Sequence, residues 1–128
     1  VAKMPLMVTG GFRSRAAMDA ALTSGAADLV GIARPMCVDP DICAKLLSGA
    51  AAEAIRYEKN LKLGDGFWGP NSKNNFIKAL NGFAAMSFYY ENIFRMADGK
   101  ETQPEIALLP TFLAHQMSER RAASRLKR

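Results

Sequence analysis

The chain has 128 residues, 49% hydrophobic and 23% charged, a balance that supports a packed core and excludes a disordered segment. A complete (β/α)8 barrel takes roughly 200 residues or more, so the chain is too short to be one. The formal net charge of +5 is gathered at one end, where from His115 onward Arg120, Arg121, Arg125, Lys127 and Arg128 face only Glu119. That pattern describes a basic tail keeping a helix soluble and argues against a nucleic-acid surface spread over the fold. No apolar run reaches the ~18–20 residues of a membrane span and no signal peptide opens the sequence, so a cytoplasmic location with no membrane partner is expected. Cys37 and Cys43, the two cysteines, form no CxxC pattern and read as reduced, partly buried thiols.

Leu6 to Thr9 reads as a short apolar strand introduced by Pro5 and ended by Gly10-Gly11, a pair that allows backbone angles other residues resist. Ser14 is placed to cap a helix running through Ser24, with Ala17, Met18, Ala21 and Leu22 on one face and Gly25 as its left-handed stop. Asp28 leads into a second strand, Leu29 to Ile32, apolar on both faces as a buried parallel strand should be. Asp39 and Pro40 then suit the N-cap and first position of another helix, buried through Ile42, Leu46 and Leu47 and closed by Gly49. Ala50 to Asn60 is expected to continue as a further helix carrying Ile55 and Tyr57.

Near Leu63 the composition shifts, with glycines and Pro70 marking a loop around Phe67-Trp68. From Ser72 to Ala97 a long helical pattern follows, in which Phe76, Leu80, Phe83, Ser87, Tyr90 and Phe94 recur at steps of three or four and Phe88 and Tyr89 widen the face. That spacing favours core packing over an aromatic platform for a cofactor. Gly99 ends the helix, Pro104 starts a second segment, Pro110 interrupts it, and Thr111 to Leu126 form a basic final helix.

The first fifty residues thus read as a strand–helix–strand unit with Gly10-Gly11 and Ala33-Arg34 at the carboxyl ends of its strands. A (β/α)8 barrel holds a phosphate in such a mouth, in the loops after its last two strands. The glycine N–H groups can turn toward an anion, the helix starting at Ser14 adds its positive end, and Arg34 supplies a forked, permanently charged donor. An ion pair with Asp39 or Asp41 is the competing role for Arg34, and a solvated helix start is the expected role of Arg13 and Arg15. His115 has no nearby ligands and reads as a surface or helix-packing residue, so no metal site is expected. Cys37 follows the arginine loop and reads as an inert packed thiol.

The linked phrases Gly10-Gly11-Phe12-Arg13-Ser14, Ala17-Met18, Ala21-Leu22, Gly25, Asp28-Leu29-Val30, Ala33-Arg34-Pro35, Asp39-Pro40-Asp41 and Leu46-Leu47-Ser48-Gly49 resemble the old yellow enzyme family of flavin-dependent NADH oxidoreductases. The resemblance implies an α/β fold in which 1–60 is the C-terminal part of the FMN-binding TIM (β/α)8 barrel, its last two parallel strands and their helices. Residues 61–128, with Asn81-Gly82 and the Trp68 loop, then form an α-helical C-terminal extension. It implies FMN as cofactor, NADH or NADPH as electron donor and a small-molecule electron acceptor, with Gly10, Gly11, Ala33 and Arg34 as the cofactor-binding set. Many members have glycine where Ala33 stands, so a slightly altered cradle is expected. The family's substrate-binding histidine pair or histidine–asparagine pair and its proton-donating tyrosine come from earlier strands. No catalytic residue is therefore expected among Tyr57, Tyr89, Tyr90 and His115, and the chain alone is expected to be inactive. The opening on Val1 fits a boundary cut within a longer protein. Strands with unpaired outer edges favour self-association, which keeps a homo-oligomer open. Two other readings compete: another phosphate-binding barrel enzyme, holding a sugar phosphate or a different nucleotide, and a noncatalytic helical interaction module whose basic final helix binds a partner.

Overall fold

Met7–Thr9 (β1) and Leu29–Gly31 (β2) pair in parallel, with Met7 opposite Leu29, Val8 opposite Val30 and Thr9 opposite Gly31. Around Leu6 the register is pinned from both sides: its carbonyl accepts from the N–H groups of Asp28 and Leu29, and its own N–H donates to the Asp28 carboxylate at 2.7 Å. These elements belong to the first of two compact units, Val1–Arg56 and Tyr57–Arg128, in a computed structural model that describes residues 4–126. Val1, expected to mark a cut boundary, and Lys127 and Arg128 of the basic tail lie outside the described residues.

Between the strands runs α1, Arg15–Thr23. Ser14 caps it by accepting from the Ala17 N–H, worth about 1 kcal/mol for such a cap, and Gly25 follows it at φ +68°. Of its expected apolar face, Met18 and Ala21 are half-buried while Ala17 and Leu22 stay exposed. The second helix, α2, spans Ile42–Ser48, two residues later than an Asp39 cap requires. Asp39 acts ahead of the helix, where its carboxylate accepts from the Asp41 N–H and its carbonyl from the Ile42 N–H. Gly49 closes α2 at φ +82°. Ile42 and Leu46 are buried with Ala54 against Met18, Ile32 and Ala51, but Leu47 is 71% exposed, against expectation.

No helix forms over 50–60 apart from a single 3₁₀ turn at Tyr57–Lys59. The alanine-rich stretch is drawn out instead by tertiary bonds: the Ala54 N–H donates to the Arg13 carbonyl at 2.7 Å, and Glu53 forms an antiparallel bridge with Ser14. Helix propensity is a weak prior beside such contacts.

The second unit contains α3, Asn75–Ala97, and α4, Leu108–Leu126. Asn74 caps α3 by accepting from Phe76 and Ile77, so the helix begins three residues after Ser72. Its buried face is Ile77, Asn81, Ala84, Ser87, Phe88 and Asn92. Of the expected face, Ser87 and Phe88 are buried and Leu80 and Tyr89 half-buried, while Phe76, Phe83, Tyr90 and Phe94 each keep 42–70% of their accessible surface. Polar residues take the buried side because they hold the neighbouring loops. Asn81 accepts from the Leu63 N–H and donates to the Trp68 carbonyl, and Asn92 accepts from the Gln103 N–H at 2.6 Å. Tyr90 stacks on His115 of α4 with ring centroids 5.5 Å apart, so the histidine is a helix-packing residue. Pro104 sits in a turn, and Pro110 does not interrupt a helix; it lies in the first turn of α4, where a missing N–H costs nothing. Arg120, Arg121 and Arg125 are exposed. Among the described residues no helix is long and apolar enough to cross a membrane, and no group of three or more His, Cys, Asp or Glu could hold a metal ion.

Candidate functional site

The parallel register carries the residues after β1 and those after β2 to the same end of the sheet. Beyond β1 the chain turns through Gly10 at φ +101° and Gly11 at φ +80°. A Cβ built on either glycine meets nothing within 4 Å, so the backbone conformation, and not a lack of space, requires glycine here. The Gly10 N–H donates to the Gly31 carbonyl at 3.4 Å, which links the two loops directly. Next comes Ser14, the cap of α1, whose first turn leaves N–H groups without intrahelical partners.

On the neighbouring strand, β2 gives way to Ile32 and Ala33 and then to a 3₁₀ turn, Arg34–Cys37. Pro35 sits fully buried at its second position, and the Met36 N–H closes onto the Ala33 carbonyl at 2.9 Å. Ala33 adopts φ −125°. With ψ −66° this lies outside the main helical and extended regions. Arg34 is exposed and makes no hydrogen bond or ion pair with the described residues. The competing ion pair is absent: Asp39 is held by Lys45 Nζ at 2.7 and 2.8 Å, and Asp41 is exposed. The N–H groups of Gly11, Ala33 and Arg34 likewise have no acceptor among the described residues. Asp28 lies at the opposite, amino end of β2, away from these donors.

The four residues singled out in the sequence, Gly10, Gly11, Ala33 and Arg34, therefore sit on adjacent loops that offer backbone N–H donors and one uncommitted guanidinium. Backbone N–H groups and a guanidinium are the donor types that hold anions with several acceptor oxygens, such as a phosphate monoester. Nothing in the set is a nucleophile or a general base. Nearby, burial pushes the Cys37 thiol up from the ordinary value, and its Sγ lies 3.6 Å from the Ala33 carbonyl. Both cysteines are free. An open apolar groove of about 300 Å³ lies along β2 between α1 and α2, lined by Met18, Leu22, Leu29, Ile32, Leu46 and Leu47. It includes none of the four mouth residues.

One neighbour of the mouth escapes sequence reading. Arg13 is 7% exposed and donates from Nη1 to the Phe12 carbonyl at 2.8 Å, where a solvated helix start was expected. Arg15 does match that expectation, being exposed and paired with Asp19, although it also reaches the Leu47 carbonyl at 2.6 Å. No local signal separates the two arginines.

The chain is 30% identical over 91 residues to a protein named NADH-dependent flavin oxidoreductase iliE from Hypocrea jecorina (strain QM6a), a match covering 70% of this chain and 20% of that protein. It is 54% identical over 37 residues to NADH-dependent flavin oxidoreductase iccE of Talaromyces variabilis and to a second iliE, from Neonectria sp. (strain DH2). Each of those shorter matches covers 29% of this chain, and 9% and 5% of the respective relative. The chain thus spans about a fifth or less of the curated relatives it matches. No family model matches it, and no solved structure does.

Proposed function

We propose that this chain supplies the phosphate anchor for FMN in an oxidoreductase of the old yellow enzyme type, working with NADH or NADPH in the cytoplasm. In this reading β1 and β2 are the last two strands of a (β/α)8 barrel, and 61–128 is a helical extension to it. The observation that carries the proposal is the pairing of two positive-φ glycines with an uncommitted Arg34 at one end of a parallel strand pair. It occurs in a chain whose relatives are named as flavin oxidoreductases using NADH.

When bound, FMN would take a hydride from the reduced nicotinamide and deliver it to a small, electron-poor acceptor such as an activated alkene. The residues of this chain hold and orient. Gly11, Ala33 and Arg34 present backbone N–H groups to the phosphate oxygens, and Gly10 shapes the turn that aims them. The Arg34 guanidinium neutralises part of the dianion's charge; a charge-assisted hydrogen bond of this kind contributes ~1.5–3 kcal/mol. The start of α1 adds roughly 0.3–1 kcal/mol through its helix dipole. Anchoring the phosphate fixes one end of the cofactor, which is how a protein sets the position of a reactive ring it does not touch at that point. The groups that polarise the acceptor and return a proton belong, in this reading, to earlier strands.

The test is purification of the protein from its full reading frame, followed by its visible absorption spectrum and anaerobic addition of NADH or NADPH. A bound flavin that bleaches on reduction is expected. A colourless protein that also fails to take up added FMN overturns the proposal.

A further inference from the structure

We propose that Thr9 is a binding residue for the polyhydroxyl chain that joins the phosphate of FMN to its ring, with its side chain seated over Gly31 at the carboxyl end of the strand pair. This inference rests on the phosphate-anchor reading above. Across β1, β2 and the loops that follow them, 7–12 and 29–35, the sequence holds two polar side chains, Thr9 and Arg34. Both stand at the carboxyl ends of the strands. The Thr9 hydroxyl, like the Arg34 guanidinium, makes no hydrogen bond with the described residues.

Neighbouring residues set the direction of the Thr9 side chain. A Cβ on Gly31 would lie 2.6 Å from both the Thr9 Oγ1 and the Met7 methyl, so these two side chains share the sheet face toward which a side chain at 31 would point. Successive residues of a strand point to opposite faces. The residue after Gly31, Ile32, packs against the cluster of Ile42, Leu46 and Ala54. Thr9 therefore stands on the face turned away from α2, and glycine at 31 leaves the room it occupies. In the barrel of the proposed function that face is the interior, where side chains at the carboxyl ends of the strands meet the ligand.

The chemistry of the group selects the part of the ligand it meets. The loop N–H groups and Arg34 only donate, which suits a phosphate dianion. A hydroxyl both donates and accepts, which suits another hydroxyl. Thr9 also lies one residue before Gly10, a step back along the strand from the phosphate donors. The portion of FMN adjoining its phosphate is the ribityl chain, a sugar alcohol.

The experiment measures equilibrium binding of FMN, riboflavin and lumiflavin to the apoprotein expressed from its full reading frame. Riboflavin lacks the phosphate, and lumiflavin lacks both the phosphate and the ribityl chain. Thr9→Val keeps the branched shape and removes the hydroxyl. It is expected to weaken FMN and riboflavin by a common factor of about fivefold, the loss of one neutral hydrogen bond, with lumiflavin unchanged. Thr9→Ser, which keeps the hydroxyl, stays near wild type. Unchanged FMN and riboflavin affinity in Thr9→Val overturns the inference. So does a loss confined to FMN, which would make Thr9 a phosphate contact, and so does an equal loss of lumiflavin, which would report a loosened site. If Thr9→Val does not fold, Thr9→Ala is read on the same ligands by the same criteria. The anchor is scored separately, by the preference of the wild type for FMN over riboflavin. That preference together with an unaffected Thr9→Val removes Thr9 and leaves the anchor standing. A wild type that binds FMN no better than riboflavin removes both.

Discussion

Gly31 faces Thr9 across the two-stranded sheet, and a Cβ on Gly31 would lie 2.6 Å from both the Thr9 hydroxyl and the Met7 methyl. Thr9 and Gly31 are the last paired residues before the two loops of the mouth, so this contact sets how closely those loops approach. Met7 can swing its terminal methyl away, but Thr9 is stiff at χ1. Gly31→Ala is expected to destabilise the protein by ~1–3 kcal/mol, the usual range for overpacking, and to weaken FMN binding by displacing the loops. Chemical denaturation read alongside FMN titration checks this; a Gly31→Ala variant with wild-type values in both would contradict it.

Asn92 is fully buried, donating to the Phe88 carbonyl and accepting from the Gln103 N–H. Asn92→Ala strands that N–H and should cost about 1–3 kcal/mol. Amide hydrogen exchange gives the signature, because Gln103 should exchange faster while residues in the β1–β2 unit keep their protection. Unchanged protection at Gln103 would show that the asparagine is not what holds the 103 segment.

Burial raises the Cys37 thiol above its ordinary value. At neutral pH it should stay protonated and react with iodoacetamide more slowly than an unstructured peptide thiol, its rate climbing only as pH passes the raised value. Mass spectrometry of the Cys37 peptide over a pH series measures this. Reaction at the peptide rate near neutrality would contradict it.

Lys100 holds the Asp98 carboxyl below the usual carboxylate range, through a 2.8 Å hydrogen bond and then through its charge. A depressed carboxylate favours the folded state above its unfolded value, and that contribution fades as pH falls through the folded value. The site caps α3 next to Gly99. NMR titration of Asp98 should show its midpoint rising toward the ordinary value in Lys100→Met. An unmoved midpoint would assign the shift elsewhere.

Features settled by neighbouring residues were legible in the sequence. The Ser14 cap and the stops at Gly25, Gly49 and Gly99 are short-range chemistry, and all four stand where their residue types place them. Features settled by distant residues were not. The 50–60 segment has alanines enough for a helix, yet bonds from residues about forty positions away draw it out. Arg13 is buried and Arg15 exposed, two arginines that no pattern distinguishes. On α3 the apolar stripe pointed to Phe76 and Phe83, whereas the buried side follows Asn81 and Asn92, whose loop partners lie far off in the sequence. Of the mouth, Gly10, Gly11, Ala33 and Arg34 were legible by type and order, and the strand register places them at one end.

The account turns on whether that end holds a phosphate, and the most direct measurement is the ratio of FMN to riboflavin affinity in wild type and Arg34→Ala. The wild type should prefer FMN strongly, and Arg34→Ala should lose about tenfold or more of that preference while riboflavin affinity stays the same. An Arg34→Ala protein that keeps the full preference would contradict the assignment of this mouth as the phosphate anchor.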